Sequence, residues 1–274
     1  MIFIVFILVG IAAAVWTCIG CSFSWWVGIL LAIAYMLAAS IIFLLLVSLM
    51  SLFIRFDRPA DRRTRFFRWV VNNTLAVLMV FMRVRVEVTG YEKIPTDSRF
   101  LFISNHRTIF DPVLTMVALR KFNISFISKK ENYKIPVVNK LMHTCFCLPI
   151  DRDNPREAVK TINQAAELIR SDVVSIGIYP EGGTNHSEDL MLPFRNGAFK
   201  IAQKAKVPIV VATIRNTTRI LKNAPWRSTT VRLRILEVIP GEHVAECQTR
   251  EISEEVRPVM EAALREPVPE DEVK

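Results

Sequence analysis

The chain has 274 residues, 51% of them hydrophobic, with a formal net charge of +9 and a mean hydropathy of +0.31. This composition excludes an ordinary soluble domain, and the apolar excess is concentrated: residues 1–54 hold no Asp, Glu, Lys, Arg or His. All of the charge lies after Ile54, and a basic protein behind an apolar segment points to anionic lipid or phosphate-bearing substrates rather than nucleic acid.

Residues 1–54 exceed one membrane span, since a helix rising ~1.5 Å per residue crosses a ~30 Å hydrocarbon core in roughly 20 residues. Met1 to about Thr17 predicts a short crossing and Trp25 to Ile54 a longer, tilted one, a transmembrane helical hairpin. The small, mildly polar stretch Cys18–Ser24 suits the turn, and Trp16, Trp25 and Trp26 cluster beside it as interfacial aromatics do. A cleaved signal peptide would need a positive start and a shorter apolar core. Cys18, Cys21, Cys145, Cys147 and Cys247 form no disulfide framework, and apolar surroundings leave such thiols inert.

Residues 55–68 carry six arginines against two aspartates, which holds this block on the cytoplasmic side and against anionic headgroups. Trp69 to Met82 is apolar but too short for a span, so residues 55–82 read as a basic juxtamembrane segment and a helix at the interface or packed on the domain. Residues 83–265 read as one domain large enough for a sizeable core, and 266–274 as a frayed tail.

Within that domain, Arg83–Thr89 alternates as a half-buried strand, and Phe100–Ile103 reads as a buried one. Strands are then expected at Ile124–Ser128, Cys145–Ile150, Val173–Ile178, Val207–Thr213 and Thr230–Val238. Helices are expected at Thr108–Arg120, Tyr133–Met142, Pro155–Arg170, Asn196–Ala205 and Thr249–Leu264. This alternation predicts an α/β fold, a single domain with a largely parallel, twisted sheet flanked by helices.

Asn105 and His106 follow the Phe100–Ile103 strand, at the end where open α/β sheets bind their ligands. Thr108 and Asp111 resemble a capping box, with Pro112 tolerated in the first turn. Positions five apart on one helix diverge by roughly 140°, so His106 and Asp111 meet only across the strand-to-helix turn. There Asp111 either caps the helix or orients His106 as a general base; these residues alone leave both open. Further polar blocks are Leu148-Pro-Ile-Asp151-Arg152, Tyr179-Pro-Glu181-Gly182-Gly183-Thr184-Asn185 and Val207-Pro208-Ile209, expected to gather with the first on one sheet edge. Cys145 and Cys147, two apart, are expected in the core, and the four histidines match no zinc spacing, so no metal is expected.

Together, Asn105-His106-x4-Asp111, Asp151-Arg152, Pro180-Glu181-Gly182 and Val207-Pro208-Ile209 resemble the glycerophospholipid acyltransferases, supported by Gly90-x-Glu92-x-Ile94-Pro95 and Phe194-Arg195-x-Gly-Ala-Phe-Lys200. The resemblance implies acyl transfer to a lysophospholipid acceptor, 1-acylglycerol-3-phosphate in particular, from acyl-CoA or acyl carrier protein, with no cofactor. It implies His106 as base, Asp111 as its orienting carboxylate, Arg152 on the acceptor phosphate, Glu181 and Gly182 shaping the acceptor pocket, and Pro208 along the acyl wall. Asn105, Gly183 and Thr184 fall in the same substrate-binding blocks. Where the family reads Glu-Gly-Thr-Arg, this chain reads Glu181-Gly182-Gly183-Thr184-Asn185, so the second phosphate-binding arginine is missing; Arg107, Arg195 and Lys200 are candidate replacements. The implied setting is an integral membrane protein of a bacterial plasma membrane, its catalytic domain cytoplasmic, with membrane lipids as partners and another lysophospholipid or lipid-like alcohol as alternative acceptor.

Overall fold

A computed structural model describes residues 2–21, 24–52, 54 and 62–267. Helices α1 (Ile2–Cys21) and α2 (Trp25–Ser51) lie against each other, joined by a 3.1 Å hydrogen bond between the Thr17 and Tyr35 hydroxyls. Within α2, Trp26–Ser51 is long and apolar enough to cross a membrane; α1 carries a shorter apolar stretch, Ile7–Gly20. The turn expected from Cys18 starts later, because the helix runs on through Cys21.

The first half of the arginine-rich block, residues 55–61, lies outside the described residues. The second half is helical, and its last arginine turns into the domain. Helix α3 (Arg62–Phe81) takes in the last arginines and leans on elements of the α/β domain. Arg68 is buried: Nη2 donates to the Ile124 carbonyl at 2.7 Å, and Nη1 reaches the Ser125 hydroxyl and the Cys145 carbonyl. Burial lowers its pKa, yet a guanidinium keeps its proton, so Arg68 fastens α3 to the domain by charge-assisted bonds.

The domain is built on seven strands: β1 (Val84–Thr89), β2 (Leu101–Ile103), β3 (Ile124–Lys129), β4 (Leu148–Ile150), β5 (Ser175–Ile178), β6 (Ile209–Arg215) and β7 (Thr229–Ile239). Their order is β1-β7-β6-β2-β5-β3-β4, and every pairing is parallel except β6 with β7. The expected largely parallel sheet is therefore present. Side chains alternate across β2: Leu101 and Ile103 face α6 (Pro155–Arg170) and α7 (Lys200–Ala205), while Phe100 and Phe102 face α4 (Phe110–Ala118). Helices α5 (Val138–Thr144), α8 (Ile220–Asn223), α9 (Gly241–Glu246) and α10 (Thr249–Arg265) complete the layers.

Two expected elements are broken up. The Tyr133–Met142 helix is a 3-10 turn (Lys130–Lys134) followed by α5, separated at Val137 with φ of +66°. Cys145 closes α5 and Phe146 has φ of +59°, so β4 starts only at Leu148; both cysteines are still in the core.

Candidate active site

The carboxyl end of β2 delivers Ser104-Asn105-His106, and β5 runs beside it with Ile103 opposite Ile178. This register sets the Tyr179–Asn185 turn alongside the His106 turn. His106 Nδ1 lies 2.9 Å from Asp111 Oδ2, and Nε2 lies 3.0 Å from the Thr184 hydroxyl. Asp111 is fully buried, and its Oδ2 also accepts from the backbone N–H groups of Arg107 (2.7 Å) and Thr108 (2.8 Å). Thr108 Oγ1 meets Asp111 Oδ1 at 3.2 Å and accepts from the Phe110 N–H. Capping and orientation thus share one carboxylate. With four partners in place, Asp111 has one position available, and it fixes the imidazole ring.

The other face of the imidazole stacks on Tyr179, ring centroids 4.1 Å apart, and Tyr179 stacks on Phe126 in turn. Burial, with the Asp111 charge adding to it, raises the Tyr179 pKa well above the usual phenol range, so the phenol stays neutral. Gly177 makes room for this stack: a Cβ there would fall 2.4 Å from the Phe126 ring. Tyr179 falls in one of the polar blocks but was given no role there, and Gly177, a glycine in a strand, carries no chemical signal in the sequence.

Glu181 does not face an open pocket. Its carboxylate accepts from the His106 N–H at 2.7 Å and the Leu192 N–H at 2.8 Å, bracing the His106 turn against the following loop. Burial raises its pKa, against the lowering effect of those two bonds. Asn105 is likewise structural: its side chain pairs with both backbone groups of Ile214, at 2.9 and 2.8 Å, extending the β2–β6 ladder by one step. The side chain expected to bind substrate is thus committed to the Ile214 backbone, and Asn105 lines a second cleft with Arg107 and Asn216.

Beyond Tyr179, a cleft of about 160 Å³ is lined by Ile127, Ile150, Ile162, Ile178, Pro180, Gly182 and Ala198 among others, with Arg152 and Arg195 on its wall. Burial lowers the Arg152 pKa, and the like charge of Arg195 adds to this, which places the two guanidiniums within each other's field. Gly182 has φ of +69°, and a Cβ there would lie 2.5 Å from Arg195 Cδ and Nε; the glycine lets Arg195 cross the turn. Gly183 faces Arg152, its nearest neighbour being Nη1 at 3.9 Å from a built Cβ. Of the three candidate replacements, only Arg195 lines this cleft. Arg107 lines a different one, where its Nη1 donates to the Asp189 carbonyl at 3.0 Å, and Lys200 opens α7 exposed. Asp151 is held by Lys130 at 2.7 Å, which lowers its pKa and ties β4 to the segment after β3.

The block Val207-Pro208-Ile209 is on the wrong edge for the role expected of it. Ile209 pairs with Leu101 in a parallel ladder, so Pro208 precedes β6 at the amino edge of the sheet, where its carbonyl accepts from the Leu101 N–H. His106, Arg152 and Glu181 are at the opposite edge. Pro208 is not part of this site.

The acyltransferase family model matches residues 85–215, the span that holds all of these side chains. The chain belongs to the acyltransferase family. It is similar to the chloroplastic 1-acyl-sn-glycerol-3-phosphate acyltransferase of Brassica napus, 30% identical over 69% of this chain and 54% of that one. It is also similar to the 1-acyl-sn-glycerol-3-phosphate acyltransferase of Saccharomyces cerevisiae, 27% identical over 69% and 63%. The chain thus spans less than two thirds of either curated relative. Among solved structures, the 1-acyl-sn-glycerophosphate acyltransferase of Thermotoga maritima superposes with a TM-score of 0.60, at 26% identity, over 81% of this chain and 89% of that one.

Proposed function

We propose that this chain moves a fatty acyl group from an acyl thioester, acyl-CoA or acyl carrier protein, to the free hydroxyl of 1-acylglycerol-3-phosphate, giving phosphatidic acid. The observation that carries this reading is the His106 arrangement: Nδ1 held by a buried carboxylate, Nε2 facing a hydroxyl at 3.0 Å. The acceptor hydroxyl takes the position of the Thr184 hydroxyl and gives its proton to Nε2 as its oxygen attacks the thioester carbonyl. Asp111 keeps the proton on Nδ1 and stabilises the imidazolium that forms. When the tetrahedral intermediate collapses, the carbon–sulfur bond breaks and the imidazolium returns the proton to the departing thiolate. The acceptor supplies the nucleophile, so no acyl-enzyme forms.

Arg152 and Arg195 hold the acceptor phosphate, Arg195 standing in for the arginine absent after Thr184. Burial and then the Arg195 charge lower the Arg152 pKa, and two like charges on one cleft wall favour a dianion between them. The apolar remainder of that cleft takes hydrocarbon next to the glycerol. α1 and α2 tether the enzyme to the membrane that holds its acceptor and product, with the catalytic domain on the cytoplasmic side of a bacterial plasma membrane.

The test is purified full-length protein assayed for thiol release from an acyl thioester against a panel of lysolipids. Turnover with 1-acylglycerol-3-phosphate, lost in His106→Ala, is the expected result; full activity in that variant would dispose of the assigned base. Preference for a lysolipid without phosphate would dispose of the acceptor.

A further inference from the structure

The catalytic edge of the sheet carries a second feature that the chemistry does not use. β6 runs parallel to β2, so its carboxyl end lies on the His106 edge; the segment between Arg215 and Thr229 starts there and, because β7 returns antiparallel, ends there. Residues 216–230 hold three cations, Arg219, Lys222 and Arg227, and no acidic residue. Within it two large apolar side chains five residues apart are exposed, Trp226 at 83% and Leu221 at 69%. The segment is held in place: Arg83 Nη1 donates to the Trp226 carbonyl at 2.9 Å, and the Thr229 N–H donates to the Arg83 carbonyl at 3.0 Å. Arg83 follows the end of α3, where Leu78 and Phe81 are also exposed, and α3 in turn meets α1. On the catalytic turn, Ile109 is 72% exposed, three residues from His106.

We propose that Leu221–Arg227 is an interfacial anchor that seats the catalytic edge on an anionic bilayer, with Trp226 and Leu221 in the lipid and Lys222 and Arg227 on the headgroups. An indole beside cations is the composition that partitions to the headgroup boundary, its ring in acyl chain and its N–H in water. Each basic residue adds attraction to an anionic leaflet. Through Arg83 the patch adjoins the exposed end of α3, the helix that also packs on the apolar α1. An acidic carrier protein would use the cations and leave the indole in water, which is why the membrane is the better occupant. The anchor brings the mouth of the His106 site to the depth at which a lysolipid presents its glycerol hydroxyl.

The test uses the full-length chain in vesicles of phosphatidylcholine with and without phosphatidylglycerol, some carrying brominated acyl chains. Brominated lipid should quench more fluorescence in the wild type than in Trp226→Phe, and the difference should grow with anionic lipid and shrink in Lys222→Gln/Arg227→Gln. No difference between wild type and Trp226→Phe overturns the proposal, and this arm holds whatever reaction the site performs. In the kinetic arm, which rests on the acyl-transfer reading, Leu221→Ala/Trp226→Ala should raise the KM for acceptor embedded in vesicles about fivefold or more. The KM for a short-chain, monomeric acceptor and the Tm should stay at wild-type values. An equal rise for both acceptors, or a loss confined to an acyl-carrier-protein donor without change in quenching, overturns it in favour of a role in the site or a carrier contact.

Discussion

Replacing Asp111 by Asn separates the two jobs its carboxylate holds. Asp111 is the second residue of α4, and the amide oxygen of an Asn there can still accept from the Arg107 and Thr108 N–H groups that now lie at 2.7 and 2.8 Å. The amide nitrogen would face the Thr108 hydroxyl, which can accept. What disappears is the charge 2.9 Å from His106 Nδ1. With charge centres about 4 Å apart and an effective dielectric near 20, the carboxylate stabilises an imidazolium by about 4 kcal/mol. If that stabilisation exists only when the proton has moved, its loss lowers kcat by about 10³-fold with little change in KM. The assay is thiol release under saturating substrates, beside a thermal melt. The reasoning fails if Asp111→Asn keeps kcat within a few-fold of wild type while His106→Ala is dead. It also fails if the melt shows that the variant has lost its fold, since then the carboxylate was needed for the helix after all.

Four further outcomes follow from the same geometry. Arg152→Ala and Arg195→Ala should each raise the KM for a phosphorylated acceptor by about 10- to 100-fold, the equivalent of one or more charge-assisted bonds at about 1.5–3 kcal/mol. Neither change should affect an acceptor without phosphate, as a lysolipid panel would record. Gly182→Ala should mimic Arg195→Ala in that KM, because the new methyl takes the space of Arg195 Cδ at 2.5 Å and the φ of +69° adds about 1 kcal/mol of strain. Gly177→Ala should lower stability by about 1–3 kcal/mol in denaturant melts, since the Phe126 ring has no free direction in the core. Glu181 gives a pH signature. Burial raises its folded pKa above the unfolded value, so the folded state binds more protons and stability falls as pH rises from the ordinary glutamate range through the raised value. Glu181→Gln should abolish that slope in a pH series of melts while losing about 1–3 kcal/mol at low pH, because one of its two backbone N–H partners is orphaned.

Much of this architecture is legible in the chain because burial writes short-range patterns. β2, β3, β5 and β6 are buried over nearly their whole length and read as apolar runs, while β1 alternates with one face exposed. α6 announces itself with Pro155 in its first turn, while its cap, Asn154, which accepts from the Arg156 and Glu157 N–H groups, was not singled out. The same local rules fail where the backbone leaves the common regions. Val137 and Phe146, neither of them Gly or Asn, take positive φ, and the elements expected to run through them break there. Arg68 was assigned to the headgroups because arginines in a cluster beside an apolar segment usually go there. Its actual partners are carbonyls 56 and 77 positions further along the chain, which no local window contains.

The site divides along the same line. His106 and Asp111 were legible because one turn brings them together, and the turn is in the sequence. Pro208 was misplaced because an ordered set of blocks says nothing about which end of a strand each occupies. Three blocks follow their strands and reach the carboxyl edge, whereas Val207-Pro208 precedes β6 and marks the opposite edge. The backbone geometry also supports the proposal that Arg195 stands in for the missing arginine. Arg107 is one residue from the base, yet the turn sends it toward Asp189. Arg195, fourteen residues after Glu181, returns to Arg152 because its N–H bonds the Pro180 carbonyl at 2.7 Å and Gly182 leaves its side chain a path. The loop that carries Asn185 thus brings a cation, Arg195, to the cleft of Arg152 by closing on itself. The side chain now at 185 is buried, and its amide holds the Asp189 carbonyl and the Ser187 N–H that shape that loop. Asn185→Arg would consequently not restore a stronger phosphate site. It would remove those bonds and force a guanidinium into a buried position, so the expected result is a lower Tm and a higher acceptor KM. A gain in acceptor affinity at unchanged Tm would refute the claim that Arg195 has taken over the role.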